Sequence, residues 1–177
     1  MQNWHLLRAH GRAALAAFWL ALALPATTQA EEATEYTLKA VLYYRLSQFV
    51  YWPADKPAPK PMSLCVVGKN PFGNALAQLN LSSGSAEIQL APADIAACQM
   101  IFIPRSEAAN LASWLERAAP RQLVTVSDIP GFARSGGMIE LPLEGERVGI
   151  VINRRTAQKK GFEFNAQLLR LARVIEP

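Results

Sequence analysis

Four short apolar runs leave this chain few folds to adopt. They are Leu64–Val67, Ile88–Ala91, Met100–Pro104 and Leu123–Val126, each bounded by turn residues. Runs without polar alternation suit strands covered on both faces, and such strands belong mainly to parallel sheets packed between helices. Helix-like pieces lie between them. Residues 72–80 join the first and second runs, and 106–119 join the third and fourth. The latter begins at Ser106, a good N-cap type with Glu107 beside it to complement the helix dipole. Its inward side is Leu111, Trp114, Leu115 and Ala118. Ala93–Cys98 has room for one helical turn. Ahead of the runs, residues 34–51 space Leu38, Val41, Leu42, Leu46, Phe49 and Val50 as one apolar stripe, which predicts a docked helix. The proline-rich stretch Pro53–Pro61 is a stiff connector from that helix to the first strand.

Past residue 137 the pattern changes. Met138–Leu141 and Val148–Ile152 flank a turn at Glu144–Glu146, as in an antiparallel hairpin. Two helices are then expected to finish the chain. One spans 154–160 and stops at Gly161; the other is capped by Asn165 and presents Leu168, Leu169 and Ala172. The expected fold is a single three-layer α/β domain with a mixed, mainly parallel sheet, helices on both faces and a C-terminal antiparallel hairpin.

The first thirty residues have the three parts of a secretory signal. Arg8 and Arg12 stand without any acid in residues 1–12, AALAAFWLALAL follows over 13–24, and Pro25 precedes the small residues Thr28 and Ala30. A retained membrane anchor is the competing reading, but the apolar run falls well short of the roughly 20 residues a spanning helix needs. Cleavage is therefore expected after Ala30, giving a periplasmic domain over 31–177 that does not insert into the membrane. The length of that part suits one well-filled core.

Removing the signal changes what chemistry is available. Both histidines, His5 and His10, leave with it, and so do two of the 18 basic residues, leaving 16 against 14 acidic. A nucleic-acid footprint needs a clustered basic face. The only clusters, Arg154-Arg155 and Lys159-Lys160, fit the solvated side of one short helix. Without histidine there is no Ser-His-Asp or Cys-His site, and a zinc site would rest on Cys65, Cys98 and carboxylates alone. Asp94, Asp128, Glu140, Glu144 and Glu146 fall in turns or at presumed edges with no evident acid–base pairing. A non-enzymatic protein without cofactor or metal is expected.

Several residues invite a binding role. Gly68-Lys69-Asn70-Pro71-Phe72-Gly73 follows the first strand and opens a helix, either as an anion cradle or simply as a tight βα turn. The order of a P-loop or dinucleotide fingerprint is missing. The stretch Ser127–Gly137 is long for a connector. It is either a binding loop or a connector that buries Phe132. Tyr43, Tyr44, Tyr51 and Trp52 gather aromatic surface at the first helix and its exit, and any left exposed would make a protein-contact anchor. Trp52, Gly68, Asn70, Asp128 and Phe132 are accordingly the candidate partner- or ligand-binding residues. Cys65 and Cys98 form the even count that favours a disulfide in an exported domain. Both would fall at one end of the sheet if the runs lie in the order 2-1-3-4. Two buried, reduced thiols are the alternative.

Taken in order, these segments resemble the YfiR-like family of periplasmic regulators, from about Glu35 to Val174. The landmarks are Lys39-Ala40, Phe49-Val50-Tyr51-Trp52-Pro53, Leu64-Cys65-Val66-Val67-Gly68, Pro71-Phe72-Gly73 and Cys98-Gln99-Met100-Ile101-Phe102-Ile103. Thr125-Val126-Ser127-Asp128, Gly131-Phe132, Gly136-Gly137-Met138-Ile139, Ile152-Asn153 and Leu168-Leu169 complete them. The resemblance implies a non-enzymatic repressor that holds an inner-membrane sensor inactive. That sensor is typically a diguanylate cyclase, so that release raises cyclic-di-GMP and promotes biofilm. It also implies a homodimer, an outer-membrane lipoprotein partner and redox sensitivity through a cystine at Cys65 and Cys98. A histidine kinase is the other sensor type expected. A different class of function is a periplasmic small-ligand-binding protein serving a histidine kinase or transporter, with Gly68–Asn70 and Ser127–Gly131 lining the crevice at the carboxyl ends of the strands.

Overall fold

The computed structural model describes residues 26–83 and 86–177. Residues 1–25 of the expected signal peptide, 1–30, lie outside them. Helix α1 runs Ala26–Leu46; from Glu35 onward it belongs to one compact unit, Glu35–Pro177. Among the described residues no helix is long and apolar enough to cross a membrane.

Seven strands form the main sheet. They are β2 (Met62–Val66), β3 (Ala86–Leu90), β4 (Met100–Ile103), β5 (Val124–Ser127), β6 (Ile139–Glu140), β9 (Val151–Asn153) and β11 (Arg173–Ile175). Their spatial order is β11-β9-β6-β5-β4-β2-β3. From β3 to β6 every neighbour is parallel. β9 is antiparallel to β6, and β11 is parallel to β9. The four apolar runs thus stand in the order 2-1-3-4. The hairpin forms as β6 against β9, and its tip continues as β7 (Leu143–Glu144) paired with β8 (Arg147–Val148) around Gly145.

Alternation along the parallel strands divides the core between two faces. Leu64, Val66, Met100, Phe102, Val124 and Val126 point to α1, α2 (Ala75–Ser83), α4 (Arg154–Lys159) and α5 (Ala166–Leu171). On the other face Cys65, Val67, Ile101 and Ile103 pack with α3 (Leu111–Ala118) and with Ile95 of the 3-10 turn Ile95–Ala97. Continuous apolar runs are needed because both faces are covered. The architecture is the expected three-layer mixed α/β fold.

Local expectations need four corrections. The first helix ends at Leu46, not 51, and Val50–Tyr51 is strand β1, paired with β10 (Glu163–Phe164). The helix is also rotated from the expected stripe: Leu38 is 42% exposed, whereas Lys39, Ala40, Tyr43 and Tyr44 are buried. Ser106 does not cap the next helix. A 3-10 segment, Arg105–Asn110, follows Pro104 without a side-chain cap, and Glu107 is turned to other partners. The chain does not finish in a helix, since β11 follows α5 and becomes the seventh strand. Asn165 does cap α5, accepting from Gln167 N at 2.7 Å, and Gly161 follows α4 at φ +74°. Gly161 fits the C′ position, where the left-handed conformation suits glycine.

Candidate functional site

The densest polar arrangement lies where β4 and β5 end. β5 stops at Ser127, whose hydroxyl donates to Ile103 O (2.6 Å) and accepts from Ile129 N (2.9 Å). That doubly bonded hydroxyl turns the chain so that the next side chain, Asp128, points inward and is fully buried. Asp128 Oδ1 accepts from Arg105 N (2.7 Å), and Oδ2 accepts from Tyr36 OH (2.9 Å) and Lys39 Nζ (2.9 Å). Arg105 Nη2 stands 3.6 Å from Oδ2 and 3.1 Å from Glu35 Oε1. Lys39 Nζ, also fully buried, donates to Glu35 one helical turn earlier and sits 4.9 Å from the Tyr36 ring centroid.

Two carboxylates and two cations balance, as buried charges must. Burial, then the Asp128 charge and its hydrogen bond, hold the Tyr36 phenol well above its usual range, so it remains a neutral donor. Chemically, this network joins α1 to the carboxyl ends of the strands, with each Asp128 oxygen accepting at least one hydrogen bond.

The remaining candidates are occupied in similar ways. Gly68 adopts φ +63°, and a Cβ there would stand 2.3 Å from Glu107 Oε1, so the Glu107 side chain covers the proposed cradle. Trp114 Nε1 (2.9 Å) and Asn110 (3.1 Å) donate to the other carboxylate oxygen of Glu107 and depress its pKa, the Trp114 bond contributing most. Asn70 is consumed by its own turn, accepting from Phe72 N and donating to Gly73 O. Phe132 is fully buried beneath Gly137. Its loop is clamped by Glu140, which accepts from Gly131 N and Ala133 N, both at 3.0 Å, and by Asn153, which donates to Ala133 O. The long stretch after β5 is therefore a packed connector.

Trp52 is remote from this group. It lies edge-on to Phe162 at 4.9 Å, and its Nε1 is buried without a hydrogen-bond partner among the described residues. Cys65 and Cys98 are joined by a disulfide with Cα atoms 5.9 Å apart. Cys65 lies in the second half of β2 and Cys98 immediately ahead of β4, and both are buried on the α3 face. Glu35, Tyr36, Lys39, Arg105, Glu107 and Glu140 are missing from the sequence-derived set. One signal was available, the Glu35–Lys39 pair at helical i,i+4 spacing. Among the described residues, no group of three or more His, Cys, Asp or Glu is placed to hold a metal ion.

The family model described as YfiR/HmsC-like matches residues 36–173. The chain belongs to the YfiR/HmsC-like family. Membership covers nearly all of the compact unit and is consistent with a periplasmic regulator rather than an enzyme. Among curated proteins none matches. One solved structure with some likeness is a 3-hydroxyacyl-CoA dehydrogenase from Archaeoglobus fulgidus. It is 11% identical with a TM-score of 0.36, and the alignment covers 65% of this chain and 56% of that one. That likeness is too distant to inform function.

Proposed function

We propose that this protein is exported to the periplasm with cleavage after Ala30. There it binds an inner-membrane sensor, a diguanylate cyclase, and holds it inactive, lowering cyclic-di-GMP and biofilm formation. The observation that carries this reading is the YfiR/HmsC-like match over residues 36–173. The buried cystine supports export, because disulfides persist in oxidising compartments and are rare in the cytosol. The Asp128 network, whose two carboxylate oxygens both serve to hold α1 and Arg105, supports a binding role over catalysis. In this structure the same network, with Glu107 over Gly68, fills the small-ligand crevice expected at the carboxyl ends of the strands. Tyr51, 53% exposed beside Trp52, is our candidate contact for the partner. A homodimer and an outer-membrane lipoprotein partner belong to the same proposal, whereas burial of the cystine favours a structural bridge over redox control.

Deleting the gene should raise cellular cyclic-di-GMP and surface attachment, and a plasmid copy should restore both. An unchanged cyclic-di-GMP level would exclude a cyclase target and redirect the search to a histidine kinase.

A further inference from the structure

Helix α1 is held by two different kinds of contact. Its later part is apolar: Ala40, Tyr43, Tyr44 and Leu46 are buried, and Tyr43 OH donates to Cys65 O (2.8 Å) and Met100 O (3.0 Å). Its earlier part, Glu35–Lys39, is held mainly by charge, with the Tyr36 ring as its apolar contact with the core. Glu35, Tyr36 and Lys39 converge on Asp128 and Arg105, while Leu38 and the preceding residues 31–34 are exposed. The facing charged and titratable groups are Glu35, Tyr36 and Lys39 from α1, Arg105 from the 3-10 segment and Asp128 from the end of β5.

These two halves should differ in stability. Desolvating a buried ion pair offsets much of its attraction, yet removing one partner is strongly destabilising because the other charge stays buried. Apolar burial has no such offset. Segments with few apolar anchors open locally at lower free energy than the core. Tyr36 also lies edge-on to Phe72 at 6.3 Å, and Phe72 borders the Gly68 turn at the carboxyl end of β2. Open α/β sheets commonly take ligands at that end, and here α1 fills the place.

We propose that Glu35–Lys39 is a lid, latched by Asp128 over the carboxyl ends of β2, β4 and β5. It opens as a unit while the later part of α1 stays docked. Opening withdraws Tyr36 and bares part of Phe72 and the Asp128–Arg105 pair, an apolar and charged surface absent from the closed form. The lid is a property of this chain alone, whatever its sensor partner.

Amide hydrogen exchange on the purified protein tests it. Asp128→Asn keeps the shape but removes the charge. It should accelerate exchange over residues 35–39 on the order of 10- to 100-fold, leaving 43–46 at wild-type rates. Should that variant fail to fold, Tyr36→Phe keeps the ring on Phe72 and deletes only the phenol hydrogen bond. Its acceleration should be several-fold and confined to the same residues. Unchanged rates, or equal acceleration through residue 46, would overturn the lid in either variant.

Discussion

Replacing both cysteines by alanine removes the one covalent restraint on the α3 face of the sheet. Cys65 and Cys98 are 33 residues apart in sequence. In the chain-entropy model a loop of that size is worth about 3.7 kcal/mol at 25 °C, through restriction of the unfolded chain. Both cysteines are buried, at 0% and 2% exposure, so the alanines also leave unfilled volume, worth on the order of another 1–2 kcal/mol. A compact unit of about 140 residues has an unfolding entropy near 0.3 kcal/mol/K, which converts the combined loss into a Tm lower by roughly 16–19 °C. Urea titration and thermal scans of the double variant measure both quantities. A loss under about 1.5 kcal/mol would refute the magnitude and show that the unfolded chain is already restrained without the bridge.

The same burial makes a kinetic prediction. Thiol–disulfide exchange needs access to a sulfur, so reduction by dithiothreitol should proceed no faster than global unfolding. Rapid reduction of protein that stays folded would overturn the structural reading. The bridge would then be one that redox chemistry can operate.

Two further perturbations address the site's surroundings. Glu140→Gln leaves a single acceptor oxygen for the two amides of Gly131 and Ala133, so stability should fall by about 1.5–3 kcal/mol with faster exchange at those amides; unchanged exchange would show that the loop does not depend on the clamp. Trp114→Phe removes the main cause of the depressed Glu107 pKa and should let that carboxyl titrate closer to its ordinary value of 4.5. Because the folded pKa is the lower one, the stabilisation is present above the ordinary value and lost as pH falls through the folded pKa. NMR titration of Glu107 in the variant checks this, and an unmoved pKa would refute the assignment to Trp114.

The sequence by itself determined the sheet and its covering. Unbroken apolar runs such as Leu64–Val67 and Met100–Ile103 need helices on both faces, and short connections between them leave little freedom in topology. The hairpin and the Asn165 cap were legible for the same reason, since each depends on residues within one or two turns of chain. Cys65 and Cys98 were legible as a pair from their even count in an exported domain, but they meet on the α3 face, Cys65 in the second half of β2 and Cys98 ahead of β4, and not at one end of the sheet as expected. Tertiary structure alone decided β1 with β10, and β11 with β9. Strands of two or three residues carry no periodicity and exist only through a distant partner. It also decided the rotation of α1. Apolar spacing favours burying Leu38, whereas the fold buries Lys39, because Asp128 waits 89 residues away to receive its charge. No local pattern announces such a partner. The candidate site, unlike the sheet, is therefore a product of long-range electrostatics, and Asp128 was visible beforehand as a candidate binding residue in a long loop, not as the receiver of the Lys39 charge.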